Sequence, residues 1–99
     1  MKKIVFVCLG NICRSPMAEF VMKSLTDHLK IESRATSSWE HGNPIHLGTQ
    51  AIFKKYAISY DRNKTSLQIS AADFADFDYV IGMDESNVRD LKRMAPEDF

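Results

Sequence analysis

A chain of 99 residues, 44% hydrophobic and 26% charged, supports one modest core and is too apolar to be a disordered segment. Thirteen basic side chains balance thirteen acidic ones, so no general attraction draws it to nucleic acid or to an anionic membrane. Any anion site has to be assembled locally. No stretch approaches the roughly 20 apolar residues that cross a bilayer. Met1-Lys2-Lys3 followed by Ile4 to Leu9 resembles a signal peptide only superficially, because the apolar run is short and ends in the polar Gly10-Asn11 turn. Cys8 and Cys13 lie too close together for a secreted disulfide framework, and two ligands make a poor zinc site. The expectation is therefore one domain over residues 1–99, cytoplasmic and reduced, with no metal and no cofactor.

Lys3 to Cys8 is a β-branched and aromatic run, as in a strand buried on both faces. The turn Leu9 to Arg14 leads to a helix start, with Ser15 as N-cap, Pro16 at the first helical position and Glu19 in the first turn. Met17, Phe20, Val21, Leu25 and Leu29 follow roughly at the spacing of one helical face, which predicts a helix over 16–30. Ser33 to Ser38 reads as a second strand, Trp39 to Pro44 as a loop, and 45–56 as a helix. Ser70 to Asp73 looks like a cap opening one helical turn. Asp78 to Met83 is a third strand, and Asp84 caps a helix carrying Val88, Leu91 and Ala95. Strands alternating with helices imply an α/β fold, an open parallel sheet with helices on both faces. The 3–8 strand is expected in the middle, between 33–38 and 78–83.

Cys8 ends the first strand and a helix begins a few residues later, which is the edge where ligands collect in an open parallel sheet. Loop amides and the positive end of the helix can converge there on one anion. Gly10 relieves crowding in such a curl, and Asn11 is among the few other residues that tolerate a left-handed conformation. Arg14, separated from Cys8 by five residues, offers a planar fork of donors matched to two phosphate oxygens. A thiolate in the same positive field is a nucleophile, and the Ser15 hydroxyl is placed to donate to it.

The run Val7-Cys8-Leu9-Gly10-Asn11-Ile12-Cys13-Arg14-Ser15-Pro16-Met17-Ala18-Glu19 resembles the signature of low-molecular-weight protein tyrosine phosphatases in nearly every position. The similarity continues through Ala35 to Glu40, Gly42-Asn43-Pro44, Asp73-Phe74, Phe77 to Val80 and Met83 to Asn87, and so covers the whole chain. The resemblance implies a phosphocysteine on Cys8, phosphate binding by Arg14, and stabilisation of the thiolate by Ser15. It implies that Leu9, Gly10, Asn11, Ile12 and Cys13 surround the phosphate, that Asn11 and Ser33 hold the loop's shape, and that Trp39 forms the wall beside the phosphotyrosine ring. Cys13 is either a small buried residue or, as the resemblance implies, a reversible disulfide partner of Cys8. The implied partners are a phosphotyrosine protein or aryl phosphate, and phosphate- or vanadate-like anions.

Two departures from the family pattern stand out. A histidine usual in the loop-supporting network has no counterpart between Arg62 and Lys64. Members also continue beyond the position of Phe99 into a last strand, a helix and an Asp-Pro loop holding the general acid, and this sequence contains no Asp-Pro dipeptide. The expectation is a piece of the fold that lacks the last strand and helix, with impaired turnover and an open sheet edge prone to self-association or domain swapping. A non-catalytic module that binds phosphate or phosphotyrosine is the alternative. A thiol-linked arsenate reductase would need further cysteines, and none follows Cys13. His28, His41 and His46 are expected to be structural or surface residues, and Asp84 a cap rather than an acid.

Overall fold

In the computed structural model, which describes residues 1–97, three parallel strands form a sheet of order β2-β1-β3. The elements run β1 (Lys2–Cys8), α1 (Arg14–Leu25), β2 (Leu29–Ala35), α2 (Leu47–Lys55), α3 (Ala71–Asp76), β3 (Tyr79–Gly82) and α4 (Glu85–Met94). β1 lies in the middle, as expected, pairing with β2 from Lys2↔Leu29 to Cys8↔Ala35 and with β3 from Ile4↔Tyr79 to Val7↔Gly82. Val5 and Val7 turn to one face of the sheet, where they pack with Ile69, Phe74, Phe77 and Leu91 beneath α3 and α4. α1 covers β1 and β2 from the other face. A second cluster, Phe20, Ile45 and Phe53 with Tyr60 against it, fastens α2 to α1 through edge-to-face ring contacts.

Several boundaries differ from the sequence reading. α1 ends at Leu25 rather than near residue 30, and β2 begins at Leu29 rather than Ser33. Leu29, four residues beyond Leu25, continues a helical spacing and also opens the two-residue alternation Leu29, Ile31, Ser33 and Ala35, and pairing along the whole length of β1 decides for the strand. Leu25, assigned to the helix's apolar face, is 74% exposed, and the buried residues of α1 are Ser15, Pro16, Glu19 and Phe20. Another difference lies at the start of α1, where Cys13 is the N-cap residue and Ser15 caps nothing. Thr36 to Ser38 do not continue β2 but bend across the end of β1.

The remaining caps follow the residue chemistry. Ser70 and Asp73 form a reciprocal capping box on α3, and Asp84 accepts from the Asn87 amide at the start of α4. Among the described residues β3 has no strand on its second side; the expectation of self-association rests on this edge. No helix among the described residues is long and apolar enough to cross a membrane.

Gly82 closes β3 where α4 approaches most tightly. A Cβ there would stand 2.9 Å from Val88 Cγ2 and 3.0 Å from the Val88 nitrogen. The missing side chain thus lets the first turn of α4, and with it Asp84, sit against the sheet. Gly82→Ala is expected to push that turn outward and to destabilise the protein by about 1–3 kcal/mol. Urea unfolding measures it, and an unchanged midpoint would contradict this packing.

Candidate active site

The loop from Cys8 to Ser15 is shaped by where its carbonyls go. The Cys8 carbonyl accepts from Thr36 N–H at 2.9 Å, Leu9 from Ser37 N–H at 3.2 Å, Ile12 from His46 N–H at 2.8 Å and Cys13 from Met17 N–H at 3.1 Å. Gly10 accepts from the Ser66 hydroxyl at 2.7 Å. Five carbonyls are therefore held by the chain around the loop. In a trans peptide the carbonyl and the following N–H point in opposite directions. Anchoring the carbonyls outward turns the next amides inward, toward Cys8. One of them, Asn11 N–H, donates to Cys8 Sγ at 3.2 Å.

Asn11 is the left-handed residue of the curl, with φ 55°, and it is almost completely buried. Gly10, expected to relieve the crowding, is not left-handed; its missing Cβ instead leaves room for Glu40, whose Cγ lies 3.3 Å from that position. The Asn11 side chain donates to Ser15 Oγ at 2.8 Å and to Ser33 Oγ at 2.9 Å, and accepts from Leu67 N–H at 3.2 Å. Ser15 Oγ in turn lies 3.1 Å from Cys8 Sγ. Ser15, read as a helix cap, is thus spent on the sulfur. Cys8, Asn11, Ser15 and Ser33 are brought into one buried cluster.

Arg14 leaves this cluster toward α4, and its Nη1 donates to Asp84 Oδ2 at 2.7 Å. The guanidinium holds the Asp84 carboxyl below the usual carboxylate range, helped by the Asn87 amide on the same group. Asp84 is therefore the cap it was expected to be, and also a partner of Arg14 that the sequence did not reveal. Cys13 is exposed, which removes the reading of it as a buried residue, and Thr49 Oγ1 lies 3.2 Å from its sulfur. Trp39 is 78% exposed beside Glu40, which flanks the loop at Gly10. Leu9 is exposed and Ile12 half-buried at the loop's outer side. His46 accepts from Gly48 N–H at the start of α2, and exposed His28 neighbours Asp27. No cluster of three metal-binding side chains occurs among the described residues.

Glu19 and Lys64 are the two members that the sequence reading missed. Glu19, read as an acid in the first turn of the helix, lies beyond that turn, is buried and accepts from Ser33 Oγ at 2.6 Å. It lies one helical turn beyond Ser15, on a buried face that only the folded chain reveals. Lys64 reaches Glu19 Oε1 at 3.4 Å and the Ser33 carbonyl at 3.3 Å, from the stretch in which the family histidine is lacking.

A family model described as low molecular weight phosphotyrosine protein phosphatase matches residues 3–99. The low molecular weight protein-tyrosine-phosphatase YfkJ of Bacillus subtilis is 45% identical, over 96% of this chain and 64% of its own. The corresponding PtpA of Staphylococcus aureus is 48% identical, over 97% and 64%. The crystal structure of SP-PTP, a low molecular weight protein tyrosine phosphatase from Streptococcus pyogenes, superposes with a TM-score of 0.94 at 67% identity, over 95% of this chain and 64% of that one. The chain thus spans less than two thirds of the length of these relatives.

Asn11→Ala removes three hydrogen bonds and leaves a side chain in a left-handed position. It is expected to cost about 3 kcal/mol in chemical denaturation. Asn11→Gly should cost less, since it forfeits the bonds alone. Asp84 supplies a pH test. A carboxyl with a lowered native pKa contributes stability above its unfolded value and loses it as the pH falls through the native one. Urea midpoints should hold from about pH 7 to 5 and drop below about pH 4. Asp76, lowered by Lys3, adds to the drop, so Asp84→Asn should remove only part of it.

Proposed function

The chain belongs to the low molecular weight phosphotyrosine protein phosphatase family, and on that premise we propose that it acts on aryl phosphates, phosphotyrosine in proteins above all, through a phosphocysteine on Cys8. The observation that carries this reading is the loop's anchoring: five carbonyls held outward, and an amide of the curl directed at the Cys8 sulfur. Such a cradle holds three phosphate oxygens in the position where negative charge grows during transfer.

In the proposed reaction the Cys8 thiolate attacks phosphorus opposite the ester oxygen. The S–P bond forms and the P–O bond breaks, the electron pair leaving with the phenolic oxygen. Water then attacks the phosphocysteine, giving inorganic phosphate and returning the thiolate. Amides of Leu9, Gly10, Asn11, Ile12 and Cys13 surround the transferred group, and Ser15 Oγ donates to the sulfur. Asp84 takes one N–H of Arg14 and orients the guanidinium, leaving further donors for two phosphate oxygens. Exposed Trp39 offers the face against which a phosphotyrosine ring stacks. Cys13 is the proposed partner that captures an oxidised Cys8 as a disulfide.

These 99 residues contain no Asp-Pro acid, and Asp84 is engaged by Arg14 and by the α4 cap. Protonation of the leaving oxygen is therefore the weak step, and general acid catalysis contributes about 10²–10⁴-fold. A nitrophenolate leaves without a proton far more readily than tyrosine does. The 99-residue chain is expected to hydrolyse nitrophenyl phosphate slowly and a phosphotyrosine peptide barely, with Cys8→Ser abolishing both. Efficient peptide turnover would reveal an acid elsewhere in the chain. Saturable phosphate binding with neither ester cleaved would favour the non-catalytic binding module.

A further inference from the structure

We infer that the outer face of α2 is a docking surface for the stretch of substrate protein beside the phosphotyrosine, taking an apolar residue next to the phosphorylated ring and an acidic residue about four positions further on. The inference rests on the proposed action on phosphotyrosine in proteins.

A surface helix ordinarily turns its polar residues to water, and α2 does so only at its C-terminal end. Its inner side is filled by buried Thr49 and Phe53. Outward it presents Leu47, Gly48, Ala51 and Ile52, with Tyr56 at the C-cap, and all five are exposed. Leu47 and Ala51 form one row at four-residue spacing, and Gly48, Ile52 and Tyr56 form the row beside it. The apolar surface is therefore continuous along the helix, with Leu47 78% and Tyr56 64% exposed at its two ends. A single exposed leucine is ordinary, whereas a continuous apolar strip marks a contact surface.

The strip starts at the loop itself. His46 N–H holds the Ile12 carbonyl at 2.8 Å, and Thr49 Oγ1 donates to Cys13 Sγ at 3.2 Å, so the first turn of α2 is fixed against the Ile12–Cys13 side. Trp39 and Glu40 stand on the other side, at Gly10. A peptide with its phosphate over Cys8 leaves the loop toward Glu40 or toward α2, and charge separates the two routes. Toward Glu40 it meets a carboxylate. Toward α2 it meets Lys54 and Lys55, and no acidic residue occurs between Glu40 and Asp61. Among the described residues neither lysine forms an ion pair; Lys55 Nζ lies 5.5 Å from the Tyr56 ring centre. From Leu47 to Lys55 the helix rises about 12 Å, the reach of about four residues of extended chain. An apolar side chain on Leu47 therefore places a carboxylate four positions on beside the lysines.

The test is fluorescence anisotropy with labelled peptides that carry phosphonomethylphenylalanine, a phosphotyrosine mimic that cannot be hydrolysed. Each has leucine on both sides of the mimic; one has glutamate four positions beyond each leucine, the other lysine. The unmodified protein is expected to bind the glutamate peptide on the order of tenfold more tightly at low salt, the scale of two exposed charge pairs made rather than opposed. Lys54→Glu combined with Lys55→Glu should reverse the order. Leu47→Ser combined with Ile52→Ser should weaken both peptides by about five- to tenfold. All four residues are exposed, so these replacements leave the core intact, and benzylphosphonate, which reaches only the loop, should bind every variant alike. Equal affinity for the two peptides, or no weakening in Leu47→Ser with Ile52→Ser, overturns the inference while benzylphosphonate still binds. Dimers in sedimentation that Leu47→Ser with Ile52→Ser dissociates would assign the face to a second copy of the chain and overturn it too. If benzylphosphonate does not bind the unmodified protein, the phosphotyrosine reading of the loop falls, and the inference with it.

Discussion

A peptide group cannot turn its N–H toward an anion without turning the preceding carbonyl away from it, and a buried carbonyl turned away needs a donor. This constraint organises the chain around Cys8. The donors come from every quarter: Thr36 and Ser37 beyond β2, His46 before α2, Ser66 in the following loop, and Met17 of α1. Segments that look like mere connections are the outer ring that holds the curl open. Their backbones are fixed in turn by isolated bridges, such as His41 with Ser66 and Ala35 with Gln68.

Inside the ring, Asn11 joins three elements at once. Its backbone adopts the left-handed turn, its amide nitrogen reaches α1 and β2 through two serines, and its carbonyl oxygen holds Leu67. An isolated polar side chain at this depth would be destabilising, and a fully satisfied one makes the loop's geometry specific. Ser15 shows the same exchange of roles. It gives up capping α1, a contribution to helix stability, and serves the sulfur instead. Local helix chemistry yields to the site, as functional positions commonly do.

The outer side of the loop depends on a second contact. Arg14 is exposed and reaches Asp84, whose other oxygen starts α4. One carboxylate thereby connects Arg14, the proposed anion clamp, to the third strand and its helix. Gly82 makes that connection possible by letting α4 sit against the end of β3. The packing of a helix on the sheet and the direction of a guanidinium are consequently one structural fact.

Short-range chemistry was enough to read the central strand, the turn at Gly10 and Asn11, the run from Cys8 to Arg14, the caps at Ser70 and Asp84, and the parallel order of the strands. Each of these depends on residues adjacent in the chain, or on an alternation that only one kind of element satisfies. The boundary between α1 and β2 was not legible, because Leu25, Leu29 and Ile31 fit two periodicities and only the register against β1 separates them. Nor were the burial of Glu19, the arrival of Lys64 or the pairing of Arg14 with Asp84, a contact spanning 70 positions. A charged side chain carries no sign in its own segment of whether water or a distant partner will complete it. Tertiary packing decides that, because burial makes the unpaired charge costly and leaves a partner from elsewhere in the chain to complete it.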